Sequence, residues 1–252
     1  MKLFNLCQSC ASIAVRRMRI ATPLIAPLSF CCLVLGACGE DAPPPVTLAG
    51  IVVSFDGDPD SSEPIAAVQV CEIATRNCIT TNDDGEWELE LPGQSEVALT
   101  LVKEGFVRTL VSDVSDAEIN VVPTINMPTD GYMEEFAAAL NTDFPLRTGL
   151  SFIRADTGDG GRLAGVTMTL SGGTGEPYYL DDDRVPDAEL TETQVPGVGG
   201  FFEMPDTGET VTVEFGGTGT DCVPAAGWPS GENQVRFPIL DTFVTQVVAR
   251  CE

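Results

Sequence analysis

The 252-residue sequence has no histidine. Without it there is no Ser-His-Asp triad, no imidazole acid or base, and no His-ligated metal site. Basic residues are scarce too: 13 Lys and Arg stand against 38 Asp and Glu, a formal charge of −25. Four of those bases (Lys2, Arg16, Arg17, Arg19) precede position 20 and every acid follows position 39, so the rest of the chain sets nine bases against 38 acids. So negative a surface repels phosphate backbones and excludes nucleic acid as a partner. Aromatic residues make up only 7%, whereas glycine (25) and proline (18) are plentiful. That balance describes a turn-rich β protein rather than a helical bundle, and the length allows one large or two small domains.

The N-terminus reads as an address. Arg16, Arg17 and Arg19 precede an apolar stretch, residues 20–35, that ends in Leu35-Gly36-Ala37-Cys38. A basic segment, a short apolar one and small residues before a cleavage point make a secretory signal. The stretch is short for a membrane-spanning helix, and Pro23 and Pro27 interrupt it. Residues 1–17 add little to such a signal, which makes Met18 a candidate start. Leu35-Gly36-Ala37-Cys38 resembles the lipobox of bacterial lipoproteins; the alternative is an ordinary signal with a chance cysteine. The resemblance implies a signal peptide over residues 1–37, diacylation of Cys38, and membrane attachment through that lipid. Two or three acyl chains anchor a protein stably where one does not. Gly39, standing where an Asp would otherwise direct sorting, implies the outer membrane of the cell envelope, on its periplasmic face or at the surface. Residues 38–46, with Pro43, Pro44 and Pro45, read as a stiff tether.

Export implies an oxidising compartment. Cys7, Cys10, Cys31 and Cys32 lie in the signal segment, which leaves Cys71, Cys78, Cys222 and Cys251 for disulfides, with three connectivities open. Their spacing fits no zinc pattern, and no metal is expected. The expected pairs are Cys71 with Cys78 and Cys222 with Cys251, one bridge in each half. A hairpin with Ile73 and Arg76 flanking a two-residue turn would set Cys71 opposite Cys78 at bridging distance. The second bridge would pin a terminal strand over residues 242–250, whose end would otherwise fray.

Period-two alternation marks several half-buried strands: Trp87, Leu89 and Leu91 against three glutamates, then Val97, Leu99 and Leu101, Val166, Met168 and Leu170, and Val211, Val213 and Phe215. Turn chemistry separates them at residues 82–85, 92–93, 156–161 and 216–217. One helix is expected from about Thr129, with Tyr132, Phe136 and Leu140 on one face, Thr129 as its cap and Pro145 past its end. The segments on either side are comparable. Val68 and Val166 occupy similar places, 98 residues apart, and Pro92 and Pro205 do so 113 apart. Self-similarity at that period means two tandem domains rather than a short-period solenoid.

The run from Thr80 through Asn82-Asp83-Asp84-Gly85 and Glu86-Trp87-Glu88-Leu89 to Pro92, with Val97, Leu99, Leu101 and Lys103-Glu104-Gly105-Phe106, resembles carboxypeptidase regulatory-like domains. The resemblance implies a transthyretin-like (Ig-like) β-sandwich over residues 47–125 and carries no active-site residues. Residues 126–147 are then a helical linker, and residues 148–252 a second, diverged sandwich through Tyr178-Tyr179, Phe201-Phe202 and Pro205.

Asp156-Thr157-Gly158 and Asp206-Thr207-Gly208 imitate the paired triplets of aspartic proteases, where two carboxylates share one proton. Arg154 before the first and Pro205 before the second break that context, and both triplets read as turns. The acids at 56, 58, 60 and 63 and the run Asp181-Asp182-Asp183 could hold calcium but lack a defined loop spacing. Tyr178, Tyr179 and Trp228 lie in loop-like stretches and are candidate ligand contacts, whereas Trp87 reads as core. Lys103 is the one lysine beyond the signal segment and follows a middle strand, a poor position for an isopeptide cross-link. The expected protein is a non-enzymatic, cofactor-free, lipid-anchored envelope protein of structural, adhesive or partner-binding role, its envelope protein or polysaccharide partner unspecified. Alternatives are a carbohydrate-binding accessory module that uses Tyr178, Tyr179 and Trp228, or a calcium-stabilised adhesin.

Overall fold

A computed structural model describes residues 43–58, 62–115 and 124–252. The signal segment, Cys38, most of the tether and Asp60 lie outside the described residues. The fold is all-β, with seventeen strands and one helix among the described residues.

The first half builds β1 (Val46–Phe55), β2 (Gln69–Glu72), β3 (Cys78–Thr80), β4 (Glu86–Leu91), β5 (Ser95–Val102), β6 (Thr109–Ser115) and β7 (Ile125–Pro128). β1 lies antiparallel to β4 and parallel to β7, while β6, β5, β2 and β3 follow one another in a second sheet. Alternation decides what lies between the two. Trp87, Leu89 and Leu91 meet Leu48, Val52, Leu99, Leu101 and Met127 in one core, and Glu86, Glu88 and Glu90 stay in water. Asn82 tightens the turn into β4, its Oδ1 accepting from the N–H groups of Asp84 and Glu86 at 3.0 and 2.9 Å. At Gly85 (φ +73°) a Cβ would lie 2.5 Å from the Val52 carbonyl, so only glycine fits.

β2 and β3 pair with Cys71 opposite Cys78, the expected register, and the two are disulfide-bonded. The turn itself is wider than a two-residue one. Ile73 donates its N–H to Ala98 in β5 at 3.0 Å, so it continues that ladder instead of pairing with Arg76. The Arg76 N–H closes on the Glu72 carbonyl at 3.0 Å, with Arg76 in the left-handed region at φ 59°.

The second half builds β8 (Gly149–Thr157), β9 (Val166–Ser171), β10 (Glu176–Leu180), β11 (Pro186–Asp187), β12 (Val198–Met204), β13 (Thr210–Gly217), β14 (Val223–Ala226), β15 (Trp228–Pro229), β16 (Gln234–Pro238) and β17 (Val244–Cys251). β15, β16, β13 and β9 make a four-stranded sheet. Gly216 and Gly217 belong to the end of β13, paired with Thr167 and Val166, and do not form the turn expected there. Val211, Val213, Phe215, Val235 and Phe237 pack from this sheet onto Ile153, Phe201 and Val247 opposite.

β17 joins the halves. It runs parallel to β8 over eight residue pairs and parallel to β6 over three, so one ten-stranded sheet continues from the second half into the first. Thr245, Val247, Ala249 and Cys251 bury one face of β17; on the other Val244 is buried, Gln246 and Val248 are half-buried and Arg250 is exposed. Cys222 and Cys251, one residue beyond the Val223–Arg250 pair of β14 and β17, close the expected second disulfide.

The helix α1 (Asp130–Ala139) begins as expected, with the Thr129 hydroxyl accepting the Tyr132 N–H at 3.2 Å. It is more than a connection between the halves. Met133, Phe136 and Leu140 pack on Leu150, Tyr178 and Phe202, so the helix is a third layer on the outer face of β8, β12 and β10.

Candidate functional site

The two Asp-Thr-Gly triplets occupy different surroundings. Asp206 sits in an exposed turn, its Oδ1 accepting from the Gly208 N–H at 2.8 Å. Asp156 is not in a turn: it lies within β8, where its side chain is only 7% exposed. Arg154 Nε reaches its Oδ2 at 3.0 Å and Arg162 Nη1 its Oδ1 at 2.6 Å. Met204, two residues before Asp206, pairs with Gly149 at the start of β8, whereas Asp156 is seven residues further along it. At about 3.3 Å per residue the two carboxylates stand roughly 23 Å apart. They cannot share a proton, and this pair is not a catalytic dyad.

The aromatic candidates are not at the surface. Tyr178 is fully buried in β10, its hydroxyl donating to the Ser151 carbonyl at 2.7 Å and its ring edge-on to Phe136 at 5.3 Å. Tyr179 is 3% exposed, and its oxygen accepts the Met168 N–H at 2.9 Å. Burial pushes both phenols above their ordinary pKa. The sequence hides this because successive residues of β10 face opposite sides of a sheet covered on both, by α1 on one and the second sandwich core on the other.

Trp228 is 9% exposed and spans the seam between the halves. Its indole N–H is shared between the carbonyls of Val97 and Asp113, each at 3.0 Å. The Arg236 guanidinium lies 5.1 Å from the ring centre and also pairs with Glu96 of β5. The structure therefore takes away the three rings on which a sugar-binding reading rested.

The acidic loops spend their oxygens on backbone. Asp181 Oδ1 accepts from the N–H groups of Asp183 and Val185 at 3.0 and 2.8 Å, and Asp182 Oδ1 from Val195 at 3.3 Å. At the other loop, Asp56 Oδ1 accepts the Asp58 N–H at 3.1 Å. Among the described residues no three His, Cys, Asp or Glu side chains converge on one point. Lys103 points its amine at the Ala66 carbonyl, 2.5 Å away.

One concave feature lies where sequence reading placed nothing. The start of α1, β7 and the outer face of β8, β12 and β17 enclose a groove of about 140 Å³. Phe55, Phe152, Leu180 and Val198 make it apolar, and Arg154 and Arg162 line it with charge. Tyr132 lines it too; its hydroxyl is buried with no hydrogen-bond partner among the described residues, and burial raises its pKa to about 12. The signal available beforehand was the alternation Arg154-Ala155-Asp156 with Arg162 following, which sets the charged residues on the face away from the core.

No protein-family model matches this chain, and no curated protein does. Solved structures similar to it include the Bacillus anthracis TIE protein (13% identity, TM-score 0.25), covering 82% of this chain, which spans only 34% of that protein. A shaft pilin, SpaA, of Lactobacillus rhamnosus GG is 11% identical over 83% of this chain and 98% of its own, with a TM-score of 0.26. A minor pilin of Streptococcus agalactiae is 13% identical over 82% of this chain and 96% of its own, with a TM-score of 0.25. At such values these likenesses carry no argument about this chain. No helix among the described residues is long and apolar enough to cross a membrane.

Proposed function

We infer that this chain is a non-enzymatic, lipid-anchored envelope protein whose role is structural, adhesive or partner-binding. The observation that carries the reading is β17, which splices two sandwiches into one continuous sheet and ends in a disulfide. Such an arrangement suits a stiff body better than a reaction centre. The polar side chains that might have done chemistry are spent on ion pairs, turns and backbone caps. Two packed sheets in the first half fit the carboxypeptidase regulatory-like resemblance, and the acidic surface favours a soluble face held clear of an anionic membrane.

Anchoring at Cys38 and placement at the outer membrane rest on the Leu35-Gly36-Ala37-Cys38 motif. Fractionation with intact mass tests them. The membrane-extracted protein is expected to begin at an acylated Cys38, and Cys38→Ala to leave the membrane fraction. Wild-type protein without acyl mass, or Cys38→Ala protein that stays wholly membrane-bound, contradicts the reading.

A further inference from the structure

We propose that the groove beside α1 binds a carboxylate carried on a single aromatic ring or an apolar group of that size. This goes beyond the structural role and does not depend on lipidation. The argument begins with charge. In a chain of net −25, nine bases follow the signal segment, and two of them line this one groove. Arg154 and Arg162 line the groove, Arg250 acts electrostatically on Arg154, and Arg184 does so on Tyr132.

One acid holds the lining pair in place. Asp156 engages Nε of Arg154 and one Nη of Arg162. The remaining N–H groups of both guanidiniums have no protein acceptor among the described residues. Desolvation lowers the pKa of Arg154 against the opposing attraction of Asp156, and repulsion from Arg162 and Arg250 adds smaller effects in the same direction as desolvation. Two cations that share one carboxylate leave an excess positive charge beside an apolar wall. A second carboxylate is the group that neutralises it, and guanidinium presents paired donors in the geometry a carboxylate accepts.

Size and wall chemistry set the rest of the ligand. A cavity of roughly 150 Å³ lined by aliphatic and aromatic side chains holds one benzene ring, and this groove offers about 140 Å³. Phe55 and Phe152 supply an aromatic wall beside the two arginines. An aromatic carboxylate satisfies all three features; a neutral ring or a bare anion satisfies only part of them. The chemistry is shared by a free aromatic acid and by a peptide ending in phenylalanine.

Titration of the purified full chain, followed by calorimetry or amide chemical shifts, tests this. The probes are 3-phenylpropionate, its neutral amide, and N-acetylglycylphenylalanine. Saturable binding of the acids is expected with a Kd of about 1 mM or tighter. The amide and the Arg162→Gln variant are each expected to weaken it by about tenfold or more, the loss of one charge-assisted contact. Val198→Phe, which narrows the groove, is expected to abolish it. Tighter binding of the peptide than of the free acid assigns a chain terminus as the natural ligand, and the reverse order assigns a small acid. Comparing acid with amide on the wild-type protein needs no variant to fold. Equal affinity for the two, an unchanged Kd in a folded Arg162→Gln protein, or no saturation at about 10 mM overturns the proposal.

Discussion

Single side chains in this molecule act mostly as fasteners. Trp228 shows it best: one indole donates to carbonyls on two neighbouring strands of the first half while an arginine from the second covers its ring. Trp228→Ala is expected to destabilise the protein by about 3–5 kcal/mol, the usual cost of deleting a buried large aromatic. Denaturant unfolding checks this; a loss below about 1 kcal/mol would mean that the residue is peripheral. Asp113, whose carbonyl receives that indole, carries a titration of its own. Burial raises its carboxyl from 3.8 to about 6, against the smaller opposing effect of the Val114 N–H. The folded chain therefore holds this proton to higher pH than the unfolded chain. Between about pH 4 and 6 the folded state binds more protons, so stability falls as pH rises through that window and stays lower above it. Asp113→Asn is expected to melt higher than wild type at pH 8 and at nearly the same temperature at pH 3.5. A lower melt at pH 8 would contradict this assignment.

Elements differ in how far the sequence announces them. Loop-closure entropy gives roughly 2.5 kcal/mol for the Cys71–Cys78 bridge and roughly 3.6 for Cys222–Cys251, which closes the longer loop. Replacing Cys222 and Cys251 by alanine is therefore expected to lower the unfolding midpoint further than replacing Cys71 and Cys78. The reverse order would show that the end of β17 is not held by its bridge. Both pairings were legible because each follows from local strand register or from a terminal strand that needs fastening. The alternating strands at 86–91 and 211–215 and the Thr129-capped helix were legible for the same reason: their periodicity is written in adjacent residues. The place of β17 was not. Parallel partners lie far away in sequence, and Val244-Thr245-Gln246-Val247-Val248 reads as any half-buried strand. Tyr178 and Tyr179 misled for a related reason. Their burial depends on a helix laid across the sheet from outside, which no pattern within β10 records.

At the scale of the whole molecule, two sandwiches form one body. The ten-stranded sheet crosses from half to half, Trp228 and Arg236 clamp the seam, and α1 from the connecting segment roofs the second half. Tandem domains on a flexible linker unfold independently, whereas halves that share a sheet unfold together. Differential scanning calorimetry of the oxidised protein asks the question directly. The account predicts a single transition whose calorimetric and van't Hoff enthalpies agree, and which moves as one when Trp228 is replaced. Two resolved transitions, with only one shifted by Trp228→Ala, would contradict it.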